Sequence, residues 1–317
     1  MRIYSKAEVA EKAPYRAIIE ALRAAFRGTF HTPPRHHHPI ARPGADTASL
    51  LLMPAWTEMR EGEEKGYVGL KTVMVVTDNA ERGQPTIQAQ YALFSGTTGE
   101  TLALMDGKEI TARRTACASA LAADYLARPE ARTHLMIGTG TLAPHVMAAH
   151  AAIRPLTRML VWSREPAKAR ALAARTALPG IEIVPTEALA EAAAEADIIS
   201  SATTSREPIL RGAWVKPGTH IDIMGAFRPD MRETDGAAVG KARVFVDTRE
   251  GAQAEAGDLL QAEAEGQFAM SRVAGDLAEL ARGAVKGRTS PGEITLFKSC
   301  GTAIEDLATA ILIYEGR

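Results

Sequence analysis

The apolar positions of this chain change their spacing near residue 133. Before it, Ile18, Ile19, Leu22 and Phe26 recur at helical spacing and give one apolar face. Ser5 and Glu8 stand at capping-box spacing just upstream, and Pro14 suits the first turn of the helix that follows. Residues 31–47 are rich in Pro, His and Arg and read as irregular chain. Three extended runs follow, 49–53, 67–77 and 88–94, with turn signals at Asp78-Asn79 and at 96–99 between them. A helical pattern over 109–127 is stopped by Pro129.

After residue 133, mostly apolar runs at 135–137, 159–162, 181–184, 198–199, 221–224 and 244–246 alternate with Ala-rich helical stretches. That alternation predicts a doubly wound parallel sheet with helices on both faces. The last segment, 302–314, is helical again, with apolar positions at Ile304, Leu307, Ala308 and Ile311. A terminal helix of this kind crosses back to the N-terminal domain and makes it discontinuous. The expected fold is therefore α/β: a Rossmann-type doubly wound domain over 115–295, and a discontinuous α+β domain over 1–114 and 296–317.

Composition then narrows the function classes. The chain has 317 residues, room for about two domains. Thirty-seven Lys and Arg face 38 Asp and Glu, a formal charge of −1, which excludes a generally basic nucleic-acid binder and an acidic disordered tail. Cys117 and Cys300 have neither zinc spacing nor the number for a disulfide framework. They read as small buried hydrophobes on helices, in a reduced compartment, so a cytoplasmic address is expected. No apolar h-region follows Met1, and no run of about 18 apolar residues occurs, so no membrane span is expected. No metal is expected either: His36-His37-His38 read as loop residues without a shared coordination face. Asp222 and Asp230 read as a strand end and a helix cap.

The sequence Gly138-Thr139-Gly140-Thr141-Leu142-Ala143 is the GxGxxA form of the dinucleotide fingerprint. The string alone is common; following a short apolar strand and opening a helix is the context that selects it. Gly138 allows the tight turn, Gly140 lets backbone approach a pyrophosphate, and Ala143 permits close helix–strand packing. The helix N-terminus adds amide donors and a positive dipole end. At the end of the next strand an NAD site wants Asp or Glu for the ribose 2′-hydroxyl. The chain instead reads Ser163-Arg164-Glu165-Pro166, with Lys168 one turn on. Ser163 can hydrogen-bond a 2′-phosphate, Arg164 can fork onto it, and Lys168 adds charge, so NADPH (NADP+) is the expected cofactor. Glu165 is the rival acid, but Pro166 behind it marks a helix start.

Three cations outside the nucleotide unit stand out: Arg35 after Pro33-Pro34, Lys71 inside an apolar strand, and Arg114 on the 109–127 helix. A lysine within an apolar strand is either on a solvent face or deliberately enclosed, because an unpaired buried ammonium is costly. Arg113 and Arg114 are about 100° apart on a helix, so only one points into a given cleft.

These residues carry a family resemblance. Leu52-Met-Pro-Ala55, Leu70-Lys71-Thr72, the segment 105–115, the GTGTLA turn, 214–218, 225–233 and Phe297-Lys-Ser-Cys-Gly301 together resemble the ornithine cyclodeaminase/mu-crystallin family over nearly the whole chain. The resemblance implies a homodimer, with the discontinuous domain serving substrate binding and dimerisation. It also implies that Arg35, Lys71 and Arg114 surround a substrate α-carboxylate, and that Thr203, Phe297, Lys298 and Ser299 flank the nicotinamide. Lys71 could also hand a proton to the substrate nitrogen or stabilise its developing charge.

One position departs from the cyclodeaminase pattern. Where those enzymes have an aspartate two residues after Gly225, this chain has Phe227, which cannot accept a proton but can wall a small apolar ring. The ketimine reductase branch lacks that acid too. The resemblance therefore implies NADPH-dependent reduction of 1-pyrroline-2-carboxylate to proline, with 1-piperideine-2-carboxylate to pipecolate as a further substrate. Three alternatives stay open: ornithine cyclodeamination, an amino-acid dehydrogenase, and a crystallin-like protein that binds nucleotide without turnover. The expected partner is a small imino or amino acid.

Overall fold

The structure, a computed structural model, describes residues 1–59 and 65–316, with backbone alone at 80 and 81. Two compact units result, 1–114 with 302–316, and 115–301.

The first unit is a seven-stranded sheet. Its strands are β1 (Arg2–Tyr4), β2 (Phe30–His31), β3 (His36–Ile40), β4 (Ala48–Thr57), β5 (Tyr67–Val75), β6 (Ile87–Ser95) and β7 (Thr101–Asp106). The order is β1-β7-β6-β5-β4-β2, with β3 also pairing with β4; only β1 runs parallel to its neighbour. Helix α1 (Lys6–Lys12) starts at a Ser5/Glu8 capping box, and α2 (Tyr15–Arg27) buries Ile18, Ile19, Leu22, Ala25 and Phe26. Helix α3 (Gly107–Leu126) leads out of β7.

In β5 the residues Gly69, Lys71 and Val73 alternate onto one buried face. The C-terminal helix of this unit, Ala303–Glu315, packs on β4, β5, β6 and α2. It is buried at every position from Ala303 to Ala310, so it is enclosed on all sides rather than amphipathic.

The second unit carries an eight-stranded, all-parallel sheet. Its strands are β8 (Thr133–Ile137), β9 (Arg158–Trp162), β10 (Glu182–Thr186), β11 (Ile198–Ser201), β12 (His220–Ile223), β13 (Arg243–Val246), β14 (Gly275–Asp276) and β15 (Thr295–Lys298). The order β10-β9-β8-β11-β12-β15-β13-β14 reverses direction at β8, which defines the topological switch point of a doubly wound sheet. Strands β8, β11, β12 and β13 are buried on both faces, as crossover helices require. Among those helices are α4 (Ala143–Ala151) and α5 (Pro166–Arg175).

Several sequence expectations are corrected. Residues 36–40 form a strand, because their backbone pairs with Leu52–Ala48 of β4 even though every side chain is exposed. Residues 296–301 belong to the second unit, since β15 inserts between β12 and β13; the boundary lies at 302, not 296. Cys300 is buried in a loop after β15 rather than on a helix. Asp230 sits in a turn, where it pairs with Arg228 and Arg206 instead of capping a helix. Pro14 is the N-cap residue of α2, one position before its first turn.

Candidate functional site

The nucleotide site of the second unit is built where β8 ends. Gly138 has φ 105°, a conformation side chains rarely adopt, and its amide donates to Trp162 O at 2.9 Å. A Cβ there would lie 2.7 Å from Ala202 O, so the turn packs directly on the chain leaving β11. Gly140 is different: a Cβ would meet nothing within 4 Å. That open space beside an exposed backbone is where a pyrophosphate fits. Thr139 and Leu142 are half-buried, Thr141 is exposed, and Ala143 is buried as the first residue of α4. The residues present therefore fit a dinucleotide.

At the end of β9, Ser163 is half-buried and Arg164 is exposed, making no ion pair among the described residues. Lys168 pairs with Glu165 at 2.5 Å, and both are exposed, so this pair contributes little stability. Glu165 stands at the N-cap position of α5.

Thr203 follows β11, and its amide and hydroxyl both donate to Glu233. Phe227, 40% exposed, lies on the segment after β12. Phe297, Lys298 and Ser299 depart from their implied place. Phe297 and Lys298 have no exposed surface, and the Lys298 Nζ is 2.9 Å from Asp258 Oδ2. Burial works most strongly against the Lys298 charge, but Asp258, Cys300 and Glu233 together outweigh it and hold the ammonium above its ordinary pKa. The Ser299 hydroxyl donates to Asp247 at 3.1 Å. Phe297 and Lys298, the latter paired with Asp258, are enclosed in this conformation, so their side chains lie in the sheet interior.

In the first unit the basic residues meet on the buried face of β5. Lys71, 2% exposed, donates to Asp306 Oδ2 at 2.7 Å. Arg114 Nε donates to Asp306 Oδ1 at 3.0 Å, and its Nη1 donates to Glu305. Arg35 is half-buried on the irregular chain before β3, close enough for its charge to act on Lys71. Burial and then the Arg114 charge pull the Lys71 ammonium down from 10.5 to about 8, with Asp306 opposing both. An ammonium so poised can give up a proton near neutral pH. Arg113 points elsewhere, to Glu109 and to the Ala13 carbonyl.

Tyr91 pairs with Lys71 across β5 and β6. Its ring occupies the space that a side chain at Gly69 would need, since a Cβ there would lie 1.9 Å from the hydroxyl. Burial, with the Asp306 charge, raises the Tyr91 phenol well above its ordinary pKa.

Glu305, Asp306, Tyr91 and Glu233 were not singled out from sequence. One signal was available for the first two: adjacent acids inside an otherwise apolar helix must be exposed or paired with buried cations. Among the described residues no group of three or more His, Cys, Asp or Glu is arranged to hold a metal ion, and no helix is long and apolar enough to cross a membrane.

Known proteins resemble this chain over its full extent. Delta(1)-pyrroline-2-carboxylate reductase of Paracoccus denitrificans is 39% identical over 302 residues, covering 94% of this chain and 92% of that protein. The structure of Thermococcus litoralis Delta(1)-pyrroline-2-carboxylate reductase in complex with NADH and L-proline superposes with a TM-score of 0.91 at 35% identity, covering 100% of this chain and 97% of that one. The iminosuccinate reductase of Paracoccus denitrificans in complex with NAD+ gives a TM-score of 0.87 at 28% identity, covering 100% and 96%.

Fold, fingerprint turn and relatives together define a nicotinamide-dependent oxidoreductase acting on C=N bonds. The chain belongs to the ornithine cyclodeaminase/mu-crystallin family, whose sequence model matches residues 2–317.

Proposed function

We propose that this protein reduces 1-pyrroline-2-carboxylate to proline with NADPH, and 1-piperideine-2-carboxylate to pipecolate by the same steps. One observation carries the reading most of the way: Lys71 and Arg114, from separate stretches of chain, hold two buried carboxylates of the C-terminal helix, with Arg35 from a third close enough for its charge to act on Lys71. Such a cluster offers fork-shaped and point positive charge to an α-carboxylate, each charge-assisted bond contributing about 1.5–3 kcal/mol.

The reaction adds hydride to C2 and a proton to nitrogen, turning C=N into CH–NH. Reduced nicotinamide supplies the hydride when bound. The protein's share is to orient the carboxylate with Arg114 and Arg35 and to deliver the proton from the Lys71 Nζ. Phe227 supplies an apolar surface for the ring and no acid or base for expelling ammonia. Ser163 and Arg164 favour the 2′-phosphate of NADPH over the bare ribose hydroxyl. The family resemblance that supports this reading also implies a homodimer, which light scattering of the purified protein checks.

The test is NADPH absorbance with each cyclic imine. Turnover with both and release of proline and pipecolate is the expected result; no absorbance loss with either imine overturns the proposal. Ammonia release from ornithine without net NADPH consumption would instead identify a cyclodeaminase.

A further inference from the structure

Glu233 is fully buried in the second unit, on the segment after β12. Its two oxygens are divided between two loops. Oε1 accepts from Ser201 Oγ at 2.6 Å, Thr203 N at 2.7 Å and Thr203 Oγ1 at 2.9 Å, all at the end of β11. Oε2 accepts from Gly225 N at 2.6 Å and Ala226 N at 3.2 Å, both just past β12. One carboxylate thus ties together the exits of two neighbouring strands.

The tie is close-fitting on every side. A Cβ at Gly225 would lie 1.9 Å from Thr203 O, so the two loops touch backbone to backbone. Glu233 is itself anchored: its amide and that of Thr234 donate to Asp258 Oδ1 at 2.7 and 2.9 Å, while Asp258 Oδ2 takes Lys298. On the other flank, the Gly138 turn packs against Ala202 and Thr203. A buried carboxylate is expensive, and burial raises the Glu233 pKa. The sheet pairing of β11 with β12 is complete without it. What the carboxylate adds is the shape of the two loops beyond the strands.

Sheet order says what that shape serves. In open α/β sheets ligands lie over the carboxyl ends of the strands at the switch point. The β8 turn takes the pyrophosphate, and the β9 end carries Ser163 and Arg164 for the adenosine half. The other half of a dinucleotide then extends the opposite way along the sheet, over β11 and β12. We infer that Glu233 is a positioning residue for the nicotinamide end of the cofactor, holding the Thr203 and Gly225–Phe227 loops at the height on which the ring rests. The inference rests on nicotinamide use alone, not on the imine proposed above or on the choice between NADPH and NADH.

Binding measurements test it without turnover. The dinucleotide that wild type binds more tightly, NADPH or NADH, is titrated calorimetrically beside its nicotinamide-free fragment, 2′-phospho-ADP-ribose or ADP-ribose. Glu233→Gln keeps the shape but turns an NH2 toward one loop. The expected result is fragment affinity within about twofold of wild type, because Glu233 accepts from Ser201, Thr203, Gly225 and Ala226 and not from the Gly138 turn or the β9 end that the fragment would use. Dinucleotide affinity falls by about tenfold or more, the scale of one lost charge-assisted hydrogen bond. Glu233→Asp should regain part of that loss. The paired change Ser201→Ala, Thr203→Val removes two of the donors while leaving the carboxylate, and should give a smaller loss of the same selective kind. Equal weakening of both ligands in Glu233→Gln and in the paired variant, or unchanged dinucleotide affinity, overturns the inference. Selective loss of the nicotinamide increment in a protein that reduces neither imine would sustain it while removing the imino-acid reading.

Discussion

Replacing Asp306 by Asn separates the electrostatics of the first unit from its packing. The carboxylate receives Lys71 at 2.7 Å and Arg114 at 3.0 Å and is fully buried. The amide has the same shape, keeps one acceptor oxygen and turns an NH2 toward the other cation. One charge-assisted bond is lost, about 1.5–3 kcal/mol, and a buried cation loses its counter-charge. Breaking a buried pair from one side costs about 3–5 kcal/mol in all, so urea unfolding should show a loss of that size. The substitution also removes the attraction that opposes deprotonation of Lys71, whose pKa of about 8 then falls further. In wild type, kcat/KM for imine reduction should be flat below pH about 8 and fall above it as the proton donor is lost. In Asp306→Asn that fall should begin at lower pH. Adding Lys71→Met removes the orphaned charge, so part of the stability loss should vanish, with a coupling of about 1–3 kcal/mol. Strictly additive losses together with an unmoved alkaline limb would refute Asp306 as the counter-charge.

Arg164→Ala should weaken NADPH binding by about 10–150-fold, one charge-assisted contact to the 2′-phosphate, and leave NADH unchanged; equal affinity of variant and wild type for NADPH, measured by fluorescence titration, would remove the NADP assignment. Asp222, buried on β12, has its pKa raised to about 7 by burial, although Ser119 and Ser200 hydrogen bonds oppose this. The folded group binds its proton more tightly than the unfolded one, so its contribution is full below pH about 4 and is lost as pH rises through about 7. Asp222→Asn should therefore gain stability relative to wild type between pH 5 and about 7.5; denaturation curves whose difference stays constant over that range would count against the raised pKa.

The Rossmann half was legible because its signals are local: apolar runs of strand length, Ala-rich crossovers, one glycine that backbone geometry demands and a second beside open space. Gly138 at φ 105° and the open space at Gly140 are what the fingerprint string encodes. The strand β15 was less so, since it returns to the sheet after 48 residues counted from the end of β13 at Val246 to Thr295, and nothing local says which neighbours it will pair with. The strand at 36–40 was illegible for a related reason. Its His-rich, fully exposed side chains carry no apolar alternation, and only backbone pairing to β4 makes it extended. The cations could be named from sequence, but which acids pair with them could not. Glu305 and Asp306 are about 190 and 235 residues away from Arg114 and Lys71 in the chain, a separation no periodicity spans. Phe297 and Lys298 show the reverse case: a motif string marked them, and the tertiary fold encloses their side chains.

The same charges set an expectation for substrate selectivity. By formal charge, Arg35, Lys71 and Arg114 set against Glu305 and Asp306 are three positive charges less two negative, a surplus of one. The two helix carboxylates thus do more than satisfy donors. Without them the cluster would hold two buried cations, Lys71 and Arg114, without counter-charge, at several kcal/mol each. With them the remaining charge matches a single substrate carboxylate. A second carboxylate on the substrate would enter without a counter-charge from this cluster. That desolvation cost, about 3–4 kcal/mol in a partly closed site, corresponds to about 10²–10³ in kcat/KM. The comparison is between cyclic imines carrying one carboxylate and an imine of similar size carrying two, assayed with the same cofactor. Neutralising one helix acid should then widen the range: Glu305→Gln raises the surplus to two and should improve the dicarboxylate relative to the monocarboxylate. If wild type takes both substrates equally well, or Glu305→Gln leaves their ratio unchanged, charge matching in this cluster is not what selects the substrate.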